Sequence, residues 1–215
     1  MSLLIHEVFH SIQGESTYAG LPCVFIRLTG CNLRCSYCDT RYAYEEGRLW
    51  DLSVLLEQVH AFRCNLVEIT GGEPLLQSET PTLASALLDQ GYEVLLETNG
   101  SLDIRRVDTR IVRVVDFKCP SSGESMHTDW RNWLRMTPRD QAKFVIGNRQ
   151  DYVYGRDRLR RFCGNDAPGF PVLFSPVFGV LAPRQLAAWI LEDHLPVRLH
   201  LQQHKLIWGP DAKGV

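Results

Sequence analysis

The sequence predicts an α/β fold, a single-domain partial (β/α) barrel smaller than the full eightfold one. Three observations predict it. Apolar runs of strand length alternate with segments of helical periodicity, the pattern of parallel βαβ units. The connections at 41–49 and 101–108 are too short or irregular for eight complete repeats. The motifs that carry chemistry each follow a predicted strand, where barrel folds gather their active-site loops.

A short strand precedes Gln13. Residues 23–28 form a strand, started by Pro22 and stopped at Gly30. The segment 52–62 is helical, because Leu52, Leu55, Leu56 and Val59 fall on one stripe. Residues 66–70 form a strand stopped by Gly71 and Gly72. A helix at 83–89 stands behind Pro81 and closes near Gly91. The strand at 92–97 ends at the turn pair Asn99-Gly100. The strand at 110–117 carries Ile111, Val112, Val114 and Val115. A helix at 130–136, a strand at 142–146 and an arginine-rich helix at 151–162 follow. A loop at 164–169 leads to a strand at 172–174, a helix at 183–192 and a last strand at 197–201. No linker, repeat or low-complexity segment interrupts the chain, so 1–215 reads as one domain.

The 215 residues suffice for a substantial core. Apolar content of 45% and charged content of 22% are ordinary for a globular chain. The net charge of −2 gives no bulk electrostatic case for nucleic-acid binding. No apolar run approaches membrane-spanning length. The opening reaches His6 and Glu7 at once and predicts no secretory segment. Cysteine usage predicts a reducing, cytoplasmic setting. Only four cationic residues are lysines: Lys118, Lys143, Lys205 and Lys213.

Cys31, Cys35 and Cys38 form a C-x3-C-x2-C cluster after Gly30. Three thiolates can hold three irons of a [4Fe–4S] cube and leave the fourth iron open. A closed electron carrier uses four cysteines. The open iron points to chemistry on a bound small molecule. Zinc is the competing reading, but it normally takes four tetrahedral ligands, and no second C-x2-C pair supplies a fourth. Seven cysteines are an odd count for a disulfide framework.

The cysteine cluster together with Gly71-Gly72-Glu73-Pro74 resembles the radical S-adenosylmethionine superfamily. The resemblance implies a [4Fe–4S] cluster whose open iron chelates S-adenosylmethionine. Reductive cleavage then yields a 5′-deoxyadenosyl radical that takes a substrate hydrogen. Tyr37 matches the aromatic beside the adenine. Gly71 to Pro74 match the stretch that contacts the methionyl amine. Glycines permit close backbone approach, and a carboxylate beside an ammonium makes a charge-assisted bond.

The remaining motifs narrow the family. Gln13-Gly14-Glu15, the run from Pro22 to Cys31, Cys38-Asp39-Thr40, Glu97-Thr98-Asn99-Gly100, Asp116-Phe117-Lys118-Cys119-Pro120 and Gln202-Gln203-His204-Lys205 span almost the whole chain. Together they resemble the 7-carboxy-7-deazaguanine synthase family, on the route to queuosine and other 7-deazapurines. The resemblance implies conversion of 6-carboxy-5,6,7,8-tetrahydropterin to 7-carboxy-7-deazaguanine with loss of ammonia. It implies catalytic use of S-adenosylmethionine, an external one-electron reductant such as flavodoxin, and a homodimer.

Site roles follow from the same resemblance. Gln13, Gly14, Glu15, Arg27 and His204 bind the pterin, with Arg27 on its carboxylate and Glu15 on its N–H edge, and His204 is also a catalytic candidate that orients substrate or manages a proton. Thr40 supplies an oxygen to Mg2+. Glu97, Asn99, Lys118 and Ser121 line the adenosylmethionine side. Cys119 lies outside the cluster spacing and takes no iron. Ser16 departs from the family, in which glycine commonly follows the glutamate. Each residue also has a plainer reading from its local context. Gln13 and Glu15 suit a turn, Arg27 a surface position, Thr40 a helix cap, Lys118 an ion pair and His204 an exposed surface. The apolar run Leu206-Ile207-Trp208, near a polar terminus, is a candidate dimer contact. Two other functions fit the cysteines alone: a glycyl-radical activase and a non-enzymatic iron–sulfur or zinc module.

Overall fold

Side-chain alternation along the parallel strands sorts this chain into an apolar outer face and a mixed inner face. The computed structural model describes residues 1–164 and 166–215. Asn165, in the predicted loop at 164–169, lies outside the described residues. The strands are β1 (Ser2–Ile12), β2 (Pro22–Leu28), β3 (Arg48–Asp51), β4 (Leu66–Gly71), β5 (Glu93–Thr98), β6 (Val112–Asp116), β7 (Gln141–Ile146), β8 (Val172–Pro176) and β9 (Arg198–Leu199). The α-helices are α1 (Leu52–Ala61), α2 (Thr80–Asp89), α3 (Arg131–Arg135), α4 (Arg149–Cys163), α5 (Pro183–Glu192) and α6 (Gln203–Ile207).

Among the described residues one sheet of nine strands runs β3-β1-β2-β4-β5-β6-β7-β8-β9. β1 is antiparallel to β2 and β3. From β2 to β9 every pairing is parallel. The order is open at both ends, as a partial barrel requires. On the outer face Val24, Ile26, Val67, Ile69, Leu96, Val115, Phe144 and Phe174 join the main core. Leu55 and Val59 of α1, Leu83 and Leu87 of α2, and Leu186 and Ile190 of α5 pack into that core. Burying each such side chain contributes about 1.5–3 kcal/mol.

The inner face has two layers. Cys23, Phe25, Leu66, Leu95 and Val112 form a separate apolar cluster at the strands' N-terminal ends. Glu68 stands level with Phe25 and Leu95; Arg27 and Glu97 stand two residues further along their strands, and Asp116 pairs with Lys143 beyond them. The interior is thus plugged at one end and charged at the other.

The edge and terminal elements differ most from the sequence reading. β1 is long, because its first part, Ser2 to Ile5, pairs with β3 and the rest, to Ile12, pairs with β2. Part of the predicted irregular connection at 41–49 enters the edge strand β3. The strand predicted at 110–117 contracts to Val112–Asp116, because Arg110 is held in a turn by Asp108. The last strand keeps only Arg198–Leu199, and the polar run after it forms α6. Ser16 takes φ 62°, the left-handed region where glycine is favoured. Its hydroxyl accepts from Tyr18 N at 3.1 Å and fixes the turn.

Candidate active site

The charged layer opens into a cavity of about 550 Å3 at the strands' C-terminal ends. That volume suits a small-molecule site. Cys31, Cys35 and Cys38 all line it, on the loop after β2. The loop is fastened by its neighbours. Gly30 O accepts from Glu73 N at 2.8 Å, and Ser36 N donates to Ser122 O at 3.0 Å. A Cβ on Gly72 would stand 2.1 Å from Gly30 O and 2.7 Å from Cys31 Cβ, so only glycine permits this approach.

The thiols suit an iron–sulfur cluster. Cys31 Sγ receives Leu33 N at 3.4 Å and Asn99 Nδ2 at 3.8 Å. Hydrogen bonds to sulfur are among the means by which proteins tune such clusters. Burial pushes the Cys31 thiol up and the Cys35 thiol to about 11. Metal binding must displace those protons. Among the described residues no three Cys, His, Asp or Glu side chains converge on one ion. A cube makes no such demand, since each thiolate takes its own iron.

Gly71, Gly72, Tyr37, Glu97, Asn99 and Lys118 line the same cavity. Glu73, Pro74 and Ser121 do not. Glu73 is fully buried, and protein groups engage its carboxylate. It accepts from Leu75 N at 2.9 Å, from Thr98 Oγ1 at 2.8 and 2.9 Å, and from Asn99 N at 2.6 Å. Burial pushes its carboxyl up, against those hydrogen bonds. Glu73 therefore locks the ends of β4 and β5 together. Pro74 begins a short turn in the core. Ser121 is turned toward Asp151, which accepts from its backbone N at 2.9 Å and from its hydroxyl. Lys118 pairs with Asp116 Oδ2 at 2.7 Å, so its ion-pair reading holds while it also faces the cavity.

Gln13, Gly14, Glu15, Arg27, Thr40 and His204 line the cavity too. Arg27 Nε donates to Glu7 Oε1 at 2.7 Å. Among the described residues no acceptor meets its Nη1 or Nη2, which leaves one edge of the guanidinium for a ligand. Phe9 and Tyr42 flank it at 5.8 and 5.9 Å. Gln13 Nε2 donates to Glu68 Oε2, and Gln13 Oε1 accepts from Glu15 N at 2.9 Å. A Cβ on Gly14 would meet His204 Nδ1 at 2.3 Å, so this glycine admits the imidazole. Burial lowers the His204 pKa, and Glu15 only partly opposes it. His204 is therefore neutral at pH 7. Thr40 begins a short helical turn, but its hydroxyl makes no capping bond and lies 3.1 Å from Asp39 Oδ1.

Several cavity-lining residues are given no role by the sequence reading. Lys143 Nζ lies 2.7 Å from Glu15 Oε2 and also bonds Glu97. Gln202 Nε2 donates to Glu15 Oε1 at 2.8 Å. Burial would raise the Glu15 pKa; the Lys143 ammonium holds it well below the ordinary range. Burial, then Glu97 and Glu15, push Glu68 up to about 8. Residues 209–215 complete the cavity rim. Lys143 and Glu68 left one signal, a lone charge inside an apolar strand.

Comparison with known proteins agrees with this geometry. Residues 25–113 match the radical SAM superfamily model. A 7-carboxy-7-deazaguanine synthase from Chlorobaculum tepidum is 48% identical, covering 99% of this chain and 97% of that protein. Its counterpart from Koribacter versatilis is 43% identical, covering 98% and 99%. The crystal structure of QueE from Escherichia coli shares the fold, with a TM-score of 0.77 at 23% identity over 94% of each chain. The chain belongs to the 7-carboxy-7-deazaguanine synthase family of the radical S-adenosylmethionine superfamily.

Proposed function

We infer that this protein is a radical S-adenosylmethionine lyase that converts 6-carboxy-5,6,7,8-tetrahydropterin to 7-carboxy-7-deazaguanine with loss of ammonia. The observation that carries the substrate reading is the open edge of Arg27 in the cavity lined by Cys31, Cys35 and Cys38. A planar guanidinium with one edge free suits bidentate binding of a carboxylate. The comparisons favour this reading over a glycyl-radical activase or a non-enzymatic metal module.

Cys31, Cys35 and Cys38 hold the [4Fe–4S] cluster. With S-adenosylmethionine bound, that cluster supplies the one-electron chemistry that removes a substrate hydrogen atom. Gly71 and Gly72 admit the methionyl end, and Tyr37, Asn99 and Lys118 line the adenosyl side. Glu97 faces both ligands. Glu73 shapes this wall through Asn99 and Thr98. Arg27 takes the substrate carboxylate, Glu15 accepts from the pterin N–H edge, and Gln13 is oriented by Glu68 to bond the ring. His204 is neutral and orients substrate through a nitrogen lone pair or N–H. Thr40 gives its hydroxyl oxygen to Mg2+, a hard cation that keeps several waters. The chain acts as one catalytic domain in the cytoplasm, receives electrons from an external carrier such as flavodoxin, and dimerises through Leu206, Ile207 and Trp208. No helix among the described residues is long and apolar enough to cross a membrane.

Equilibrium binding tests the substrate class. The reconstituted protein should bind 6-carboxypterin well and 6-methylpterin at least tenfold more weakly. Equal affinities would remove Arg27 from the substrate reading.

A further inference from the structure

We propose that Lys143 is a positioning residue that holds the Glu15 and Glu97 carboxylates side by side, and that this pair selects ligands carrying an N–H donor edge. The proposal rests on the reading of Glu15 as a substrate contact.

The two acids arrive from distant parts of the chain. Glu15 comes from the loop after β1, and Glu97 from the C-terminal end of β5. Between them stands the Lys143 ammonium, on the inner face of β7, with its side chain 5% exposed. It bonds Glu15 Oε2 at 2.7 Å and Glu97 Oε1, and lies 4.0 Å from Asp116 Oδ2. Without a cation, two carboxylates this close drive one of them to take a proton. The cation holds Glu15 as an acceptor and offsets part of the burial that pushes the Glu97 carboxyl up.

The acceptors are not used up. Each oxygen of Glu15 has one protein donor, Lys143 or Gln202, and keeps lone-pair capacity. Among the described residues no donor reaches Glu97 Oε2, and the Glu97 side chain is 24% exposed toward the cavity. This wall therefore offers acceptors, while Arg27 offers donors for an anion. A ligand with an amino group and ring N–H at one end and a carboxylate at the other matches both.

Fold stability does not account for Lys143. The layer beneath it fills the same interior with Cys23, Phe25, Leu66, Leu95 and Val112. Buried ion pairs seldom outperform such packing. The titratable groups facing Lys143 are Glu15, Glu97 and Asp116, with Glu68, His200 and His204 around Glu15 and Lys118 on Asp116. Asp116 keeps Lys118 as a partner, so deleting the Lys143 ammonium leaves Glu15 and Glu97 together without a cation.

The test uses the full chain with its cluster reconstituted, and two probes read by calorimetry. 6-Carboxypterin carries both the donor edge and the carboxylate; pyrazine-2-carboxylate carries only the latter. K143M should weaken 6-carboxypterin about 30-fold or more, and leave pyrazine-2-carboxylate unchanged. In K143M the affinity for 6-carboxypterin should rise with pH between 5 and 8, as Glu15 loses the proton it has gained. Wild type should show a smaller limb than K143M, and K143R should return it to the wild-type size. Wild-type affinity and pH dependence in K143M would overturn the proposal. E15Q separates the underlying reading: normal 6-carboxypterin binding by E15Q rejects Glu15 as a contact, whatever K143M does. If K143M does not fold, E97Q is read in its place. An unchanged ratio of the two affinities in E97Q then overturns the proposal.

Discussion

Glu73 accepts the Asn99 backbone N–H at 2.6 Å, and so ties the loop after β4 to the end of β5. The same carboxylate holds Thr98 and Leu75. Glu73→Ala leaves these buried donors without an acceptor, at about 1–3 kcal/mol each. A loss of about 3 kcal/mol lowers the melting temperature by roughly 6–12 °C in a chain of this size. Adenosylmethionine affinity should fall with it, because Asn99 lines that wall, while bound iron stays at the wild-type level. An unchanged melting temperature would show that the carboxylate does not bind the two strand ends together.

The cysteines separate by role. Cys31→Ala, Cys35→Ala and Cys38→Ala should each lose the cluster absorbance and all turnover, since each removes an iron ligand. Cys163→Ala should keep full iron content, because Cys163 lies at the end of α4, away from the cavity. Iron analysis after anaerobic reconstitution decides. Full iron and activity in Cys35→Ala, or one tightly held zinc in the wild type, would contradict the assignment.

Arg27→Ala should reduce turnover of the carboxypterin by about 30-fold to several-thousand-fold, the effect of breaking a buried charged contact. Cluster assembly and substrate-free cleavage of adenosylmethionine by dithionite should survive. Thr40→Val keeps the shape, loses the hydroxyl, and should blunt stimulation in a Mg2+ titration. Normal turnover by Arg27→Ala would move the carboxylate elsewhere.

Glu68 makes stability depend on pH. Its folded pKa is pushed up to about 8 from 4.5, so the folded chain binds a proton that the unfolded chain releases. Its contribution is fully present below pH 4.5 and is lost as pH rises toward 8. Glu68→Gln removes this loss. The variant should melt higher than wild type at pH 8.5, and the gap should close by pH 5. A gap that widens toward acid would reverse the sign and reject the protonated carboxyl.

The sequence made the scaffold legible where the signal was local. The apolar inner strands and their glycine stops read directly, as at residues 66–70 before Gly71 and Gly72. Edge elements did not. β3 carries Arg48 and Trp50 in a four-residue strand, and α6 is a five-residue helix without a buried face. At the site, the residues expected in the pterin half all reached the cavity, because short motifs on adjacent loops converge there. Glu73 was harder to read, since a sequence cannot say which way a carboxylate turns at a strand end. Lys143 was harder still. Its meaning depends on Glu15, 128 residues away, and Glu97, 46 residues away.

Anaerobic turnover tests the central claim most directly. Reconstituted protein, dithionite, Mg2+, S-adenosylmethionine and 6-carboxy-5,6,7,8-tetrahydropterin are combined, and 7-carboxy-7-deazaguanine is quantified by mass spectrometry beside 5′-deoxyadenosine. The account predicts product in excess of the adenosylmethionine consumed. Cleavage of adenosylmethionine with no deazapurine, in protein that carries its full cluster, would contradict it.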